Sequence, residues 1–253
     1  MNNYNKLLNN LETLKLLRIK DNLDNYIDLI NEKKKNFIDT LYELTNLEIE
    51  TMEEKRILHS IQFAGFPFLK KLEDFDFSYQ PTINKEQILD FKNLRFIEKC
   101  ENILFVGSPG VGKTHLATAI GIENAISNHS TYFINCNDLI LSLKKAHLQN
   151  RLNDKLRTLC KYRLLIIDEV GYLPIDIEAA NMLFQLINKR YEKNSTIITT
   201  NKPFSKWGEL FGDNMIANAI LDRLLHHSHV INISGKSYRT RGIISDNQDN
   251  ENS

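Results

Sequence analysis

Cysteine, proline, glycine and tryptophan are all scarce in this chain. Its 253 residues include 3 cysteines, 5 prolines, 10 glycines and 1 tryptophan. Cys100, Cys136 and Cys160 stand far apart, with no C-x-x-C spacing and no histidine cluster beside them. This pattern excludes a disulfide framework and a cysteine-ligated metal site. We therefore expect free thiols in the reducing environment of the cytoplasm.

Long apolar runs and an excess of charge of either sign are also absent. No stretch approaches the ~20 apolar residues of a membrane span, and the polar start Met1 to Lys6 lacks the apolar core of a signal peptide. We expect a cytoplasmic protein with no membrane partner. Because 32 Lys and Arg balance 32 Asp and Glu, nucleic-acid binding has to be judged segment by segment.

The most specific motif is a glycine-rich loop between an apolar run and a helical pattern. It reads G-x-x-x-x-G-K-T over residues 107–114, after Ile103 to Val106 and before Leu116 to Ile120. Strand, loop and helix in this order form a P-loop, whose backbone N–H groups cradle phosphates at a helix N-terminus. Lys113 can reach the outer phosphates, and the Thr114 hydroxyl can hold Mg²⁺. The predicted ATP-binding residues here are Gly107, Ser108, Pro109, Gly110, Val111, Gly112, Lys113, Thr114 and His115.

Hydrophobic periodicity separates a helical N-terminal part from a part in which strands and helices alternate. We predict a helical domain over 1–68, an extended linker over 69–86, an α/β domain over 87–243 and a disordered tail over 244–253. The near-continuous apolar strands favour a parallel sheet covered by helices on both faces. The predicted strands are 103–106, 131–135, 164–168, 196–200 and 229–233, the predicted helices are 87–96, 177–191 and 216–225, and 138–163 is predicted to be mostly helical.

Two acids end the strand that begins at Leu164. Asp168 can hold Mg²⁺, and Glu169 can act as general base on the attacking water. Two acids at a strand end are ordinary by themselves, but about 55 residues after a P-loop they indicate the second half of an ATP site. Mg²⁺ is therefore predicted to be bound by Thr114 and Asp168, with ATP as the second cofactor.

Two further side chains have both a catalytic and a structural interpretation. Asn201 follows another strand and can sense the γ-phosphate or the attacking water, although Asn is also common in turns. Arg223 can complete a neighbouring ATP site by stabilising phosphoryl charge. It can equally be a helix-surface arginine paired with Asp222. With Glu169, these two form the predicted catalytic set.

Several segments together resemble the AAA+ ATPases of the DnaC/IstB group, and IstB-like transposition helper ATPases in particular. The P-loop through Ala117 is similar to that of the family, as is the Walker B segment, Ile167 to Pro174, with its G-Y-L-P continuation. Arg223 to Ser228 resembles a signature of the family, and the similarity covers roughly residues 5 to 241. It implies an AAA+ core without the usual C-terminal helical lid, following a small all-helical domain. Arg239 would be a second arginine sensor at the ATP.

The resemblance also implies ATP-dependent assembly on double-stranded DNA as a homo-oligomer with ATP sites between subunits. The implied partner is a cognate transposase, which the ATPase recruits and stimulates. A strip between residues 144 and 163 independently favours phosphate contacts, although a solvated basic helix face has the same composition. Its predicted DNA contacts are Lys144, Lys145, Arg151 and Lys155, and Lys189, Arg190 and Lys236 could add to them.

Two alternatives stay open at this point. A replicative helicase loader of the DnaC type would share the ATP motifs, and an ATP-gated scaffold with slow hydrolysis would share the DNA contacts. The G-Y-L-P and R-L-L-H-H-S segments favour the transposition helper.

Overall fold

Three N-terminal helices form where leucine and isoleucine recur at helical spacing in the computed structural model, which describes residues 2–238. They are α1 (Asn3–Thr13), α2 (Leu17–Asn31) and α3 (Phe37–Ala64). Leu11, Ile19 and Leu44 form their buried core. The buried Glu48 carboxylate accepts hydrogen bonds from the backbone N–H groups of Arg18 and Ile19, so a negative charge stabilises the positive end of α2.

The chain divides into two compact units between His59 and Ser60. Residues 60–86 therefore belong to the same unit as the sheet, although the sequence assigns 60–68 to the helical domain and 69–86 to a linker. Leu72, Phe75 and Ile83 are buried in the core of this second unit, so an aromatic side chain of the predicted linker does dock on a core. Whether the predicted ranges 1–68, 69–86, 87–243 and 244–253 are the bounds of functional domains stays a prediction.

A five-stranded parallel sheet forms the centre of the second unit. Its strands are β1 (Asn102–Gly107), β2 (Thr131–Asn135), β3 (Leu164–Val170), β4 (Ser195–Thr200) and β5 (Ser228–Ile233). They lie in the order β2-β3-β4-β1-β5, and each neighbouring pair is parallel. All five strands were predicted from their apolar runs.

Helices cover both faces of the sheet, as the sequence predicts. The remaining helices are α4 (Lys85–Asp90), α5 (Arg95–Glu98), α6 (Lys113–Ile126), α7 (Cys136–Leu148), α8 (Leu152–Leu159), α9 (Ile177–Arg190), α10 (Trp207–Phe211) and α11 (Asn214–Leu225). One core cluster joins α6 to one face of the sheet, and a second joins α7, α9, α10 and α11 to the other. Successive residues of β3 alternate between these clusters: Leu165 and Ile167 face one, Leu164 and Ile166 the other. This explains why the strand reads as continuously apolar.

Three features of the helices differ from the sequence prediction. The single helix predicted over 87–96 is wrong, because Leu94 adopts a left-handed φ of 55° between a 3₁₀ turn and α5. Within 138–163 the chain breaks at Asn150, whose φ is 54°, so α7 and α8 are separate helices. Helix α10 was missed because it is only five residues long, although its Trp207 is fully buried.

Parallel strands bring their carboxyl ends to one edge of the sheet. Gly107, Asn135, Asp168 and Thr200 lie at or near these ends. In open α/β sheets this edge is where ligands bind. No helix among residues 2–238 combines the length and apolar character needed to cross a bilayer.

Candidate nucleotide-binding site

The P-loop leads from the end of β1 into the first turn of α6. Gly110 and Gly112 adopt positive φ of 81° and 100°, which glycine tolerates and other residues rarely do. Both are also crowded. A Cβ at Gly112 would lie 2.5 Å from the Phe75 ring, and one at Gly110 would lie 2.0 Å from Ser237 Oγ. The loop conformation therefore depends on two segments distant in sequence.

Lys113 is the first residue of α6 and points its ammonium back over the loop. Its Nζ donates to the backbone carbonyls of Gly107 and Ser108, both at 2.8 Å. A cation is thus held beside the N-terminus of a helix, where N–H groups and the helix dipole already favour phosphate.

Asp168 is buried, with only 5% of its surface exposed, and is surrounded by hydroxyl donors. The Thr114 hydroxyl lies 3.0 Å from Oδ1 and 3.2 Å from Oδ2, and the Thr199 hydroxyl also donates to Oδ1. Burial raises the pKa of this carboxyl, and the two threonines oppose that rise. Hard oxygen donors of this kind suit Mg²⁺, so Thr114 and Asp168 fit the predicted metal site.

A bulge in β3 turns the neighbouring Glu169 away from the core. The pairing of β3 with β4 shifts register between Ile167 and Val170, and Glu169 adopts a φ of 61°. Its backbone N–H donates to Thr199 Oγ1 at 2.9 Å. Asp168 is therefore buried while Glu169 is exposed, although they are adjacent in one strand.

Asn135 holds the Glu169 carboxylate in place. Its Nδ2 lies 2.8 Å from Glu169 Oε2. The sequence prediction overlooked both Asn135 and Thr199. The available signal was that each is a polar residue near the carboxyl end of a strand next to the one with the acids.

A cavity of about 320 Å³ connects these groups. The P-loop, Glu169, Thr199 and Asn201 line it, and the other lining residues come from the segment before the sheet, the turn after β3 and the end of the described chain. They include Phe68, Lys70, Asp74, Phe75, Asp76, Gln80, Tyr172 and Tyr238. The volume and the mixed aromatic and polar lining are typical of a small-molecule site.

Asn201 and His115 both line this cavity, with different surroundings. Asn201 Oδ1 is buried and has no hydrogen-bond partner among the described residues, so it is free to accept from a water or a ligand. His115 Nε2 donates to the Lys71 carbonyl at 3.0 Å, and its ring meets Phe75 edge to face at 5.4 Å. Because Nε2 is engaged with Lys71, the predicted contact of His115 with ATP is left to its other ring atoms and its backbone N–H.

Arg223 lies on α11 and is not among the residues that line the cavity. Its Nε donates to Asn188 Oδ1 at 2.6 Å, and its guanidinium lies 4.9 Å from the centre of the Phe184 ring. The pair with Asp222 is loose, at 3.8 Å. Arg239, the other predicted arginine, lies outside the described residues.

The predicted DNA-contacting residues lie on α7, at the N-cap of α8 and on α8, and they have different partners. Lys144 pairs with Asp176 at the start of α9. Lys145, Arg151 and Lys155 have no carboxylate partner among residues 2–238, and Lys145 and Arg151 are exposed. A DNA contact by Arg190 is wrong, because its side chain is buried and donates to four acceptors inside the protein.

Comparison with known proteins connects this geometry to a family. Residues 9–244 match the model of the family described as IstB-like ATP binding protein. The chain is 51% identical to the putative ATP-binding protein of insertion sequence IS232 of Bacillus thuringiensis, over 98% of this chain and 99% of that one. It is 41% identical to the IS21 counterpart of Pseudomonas aeruginosa, over 91% and 87% of the two chains.

The chain belongs to the IstB-like ATP-binding protein family. Solved structures agree on the fold. The crystal structure of the DnaC helicase loader matches with a TM-score of 0.51 and 27% identity, over 59% of this chain and 87% of that one. AMPPCP-bound DnaA from Aquifex aeolicus matches with a TM-score of 0.57 over 74% and 56%, at 17% identity. The second unit is therefore an AAA+ core of an IstB-like protein, as the sequence predicts.

Proposed function

We propose that this IstB-like protein is an Mg²⁺-dependent ATPase that assembles on double-stranded DNA and recruits and stimulates the transposase of its insertion sequence. One observation carries the ATPase part. The β3 bulge directs Asp168 to the Thr114 hydroxyl and leaves Glu169 exposed at the same cavity. Two consecutive acids can thereby take different roles, with Asp168 as a metal ligand and Glu169 as a general base.

Each group has a role that its position supports. The P-loop N–H groups and Lys113 bind the phosphates, and Mg²⁺ held at Thr114 and Asp168 would neutralise their charge. Glu169 accepts the proton of the attacking water, and the unpaired Asn201 Oδ1 orients that water. Asn135 orients the Glu169 carboxylate through Oε2, which leaves Oε1 to act as the base.

Assembly and DNA binding rest on surface residues. Arg223 does not line the cavity of its own chain, which is compatible with reaching the ATP of a neighbouring subunit. Lys145, Arg151 and Lys155 offer cations that have no carboxylate partner within residues 2–238 for phosphate contacts. The partner transposase is inferred from the relatives, whose names place them in insertion sequences.

A helicase loader is the second candidate, favoured by the 27% identity to the DnaC loader. The relatives from insertion sequences match nearly the whole chain at higher identity, so we favour transposition. Co-purification distinguishes the two functions. A stable complex with a replicative helicase, and none with the transposase, would reverse this preference.

The Glu169→Gln variant tests the ATPase proposal. The control is Lys113→Ala, which removes the cation that binds the ATP phosphates. We expect Glu169→Gln to bind ATP and to remain on duplex DNA longer, with turnover reduced by about 10²-fold or more. Lys113→Ala should lose ATP binding itself. If the parent protein shows no ATP turnover even with DNA, an ATP-gated DNA-binding scaffold becomes the better description of the protein.

A further inference from the structure

Two histidines and a glutamate form an exposed cluster where α9 and α11 end. Glu192 is the second residue after α9, His226 caps the carboxyl end of α11, and His227 comes next. Each of these side chains is about half exposed. They do not line the nucleotide cavity, and the proposed ATPase chemistry uses none of them.

The ligand atoms of these residues already lie at nearly the spacing of a metal site. One ligand atom from each lies within 4.8 Å of the other two. His226 Nδ1 is 3.7 Å and His227 Nε2 is 3.6 Å from the same Glu192 oxygen. Tetrahedral Zn²⁺ with bonds of ~2.0–2.1 Å separates its ligand atoms by about 3.4 Å. Small rotations of exposed side chains would therefore close the site.

The donor types select a class of metal. Two imidazoles and one carboxylate are typical ligands of Zn²⁺ and related transition metals, whereas Mg²⁺ favours oxygen ligands. We propose that Glu192, His226 and His227 bind a divalent transition metal ion of the zinc class, separate from the Mg²⁺ site at Thr114 and Asp168. The fourth position is left to water.

Tyr191 holds one of these ligands before metal arrives. Its hydroxyl lies 2.7 Å from His226 Nδ1. The hydroxyl thereby restrains the ring beside Glu192, and the metal would replace this hydrogen bond. Preorganised ligands lose less conformational freedom on binding than free ones.

The metal would join two helices that already contact each other through Arg223. That arginine lies on α11 one turn before His226, and its Nε donates to Asn188 on α9. A metal bridging Glu192 to the histidines would fasten the carboxyl ends of α9 and α11 together. Since the folded chain brings these ligands together, binding should raise the thermal midpoint of unfolding.

The experiment is calorimetric titration of the full untagged chain with ZnCl₂, in excess Mg²⁺ and ADP so that the nucleotide site is filled. The variants are Glu192→Gln and the double variant His226→Ala with His227→Ala. The control is His147→Ala. His147 and Glu178 form a similarly exposed pair at 3.3 Å, but this pair supplies only two ligands.

We expect one Zn²⁺ per parent chain and an increase in the thermal midpoint with added ZnCl₂. Either cluster variant should weaken binding at least about tenfold, since loss of even an outer partner of a metal ligand has that effect. His147→Ala should keep both the affinity and the midpoint increase. Unchanged affinity in both cluster variants, or no binding by the parent chain, would overturn the proposal.

Co²⁺ gives a second readout that does not depend on stability. The parent chain and His147→Ala should show the strong visible absorption of tetrahedral Co²⁺, and both cluster variants should lose it. A weak octahedral spectrum in the parent chain would contradict closure of the three ligands around one metal.

Discussion

At the scale of single residues, the Asp168 carboxylate needed to bind Mg²⁺ costs the folded chain stability. Burial raises the pKa of its carboxyl, so the ionised form needed for Mg²⁺ is disfavoured in the folded chain. The hydroxyls of Thr114 and Thr199 offset part of this cost. Mg²⁺ bound at Thr114 and Asp168 would favour the ionised form and so offset the rest of this cost.

We predict that Asp168→Asn abolishes Mg²⁺-dependent ATP binding without weakening the nucleotide-free fold. The neutral amide keeps the shape and hydrogen-bonding capacity and avoids the burial of a charge. Thermal unfolding at neutral pH should give a midpoint that is unchanged or up to ~4 °C higher. Asp138→Asn, which removes an exposed acid, is the control for net charge. A large decrease in the midpoint would show that the carboxylate itself stabilises the fold.

The sign of the pH dependence follows from the same shift. With its pKa raised on folding, Asp168 binds a proton more readily in the folded chain than in the unfolded chain. Its contribution to stability is therefore fully present below the unfolded pKa and is lost as pH rises through the folded pKa. The advantage of Asp168→Asn over the parent chain should shrink as pH falls through this window.

At the scale of elements, Arg190 connects α9 to α8 and β4. Its guanidinium donates to the carbonyls of Leu159 and Tyr162 at 2.8 and 2.9 Å, and also to Ser195 O and Thr196 Oγ1. Burial lowers its pKa to about 10, which still leaves the side chain charged at neutral pH. These hydrogen bonds take the place of a carboxylate partner.

We predict that Arg190→Met destabilises the second unit by about 3 kcal/mol or more, because buried carbonyls lose their donors. Lys189→Ala, at the exposed neighbouring position, should have almost no effect. Chemical denaturation of both variants measures the difference. Equal stability of Arg190→Met and the parent chain would mean that water replaces the lost donors.

Arg190→Lys refines the same comparison. A single ammonium cannot reach acceptors distributed over α8, its following turn and β4, so most of the loss should remain. Recovery of full stability by lysine would indicate that charge alone, and not the planar geometry of the guanidinium, is what this position requires.

At the scale of the whole molecule, the main question is whether each ATP site needs two chains. Arg223 contacts Asn188 and Phe184 and does not line its own cavity. An arginine supplied by a neighbouring subunit can increase phosphoryl transfer by ~10³-fold or more.

We predict that Arg223→Ala retains ATP binding by the isolated chain and loses DNA-stimulated turnover by about 10³-fold. Asn188→Ala is the matched control, since it removes the same hydrogen bond and keeps the guanidinium. Mixing Arg223→Ala with Lys113→Ala should restore part of the turnover, because the second variant supplies the arginine and the first supplies the ATP. Absence of restoration would argue that Arg223 acts within its own chain or only supports the fold.

The parallel sheet, the P-loop and the two acids of β3 could all be predicted from the amino-acid pattern. A continuously apolar run is typical of a strand buried on both faces. The glycines of the P-loop are needed because the backbone adopts positive φ at Gly110 and Gly112. The prediction of one helix over 87–96 failed because helical periodicity does not reveal a single left-handed residue such as Leu94.

Which side chains meet depends on the packing of the folded chain. Asn135 reaches Glu169 across 34 positions, and Thr199 reaches Asp168 across 31. The packing also buries Arg190, which in sequence looks as exposed as Lys189. The cluster of Glu192, His226 and His227 likewise depends on the packing of α9 against α11. Local patterns specify elements, whereas the register of the sheet and the docking of helices specify the contacts between residues distant in sequence.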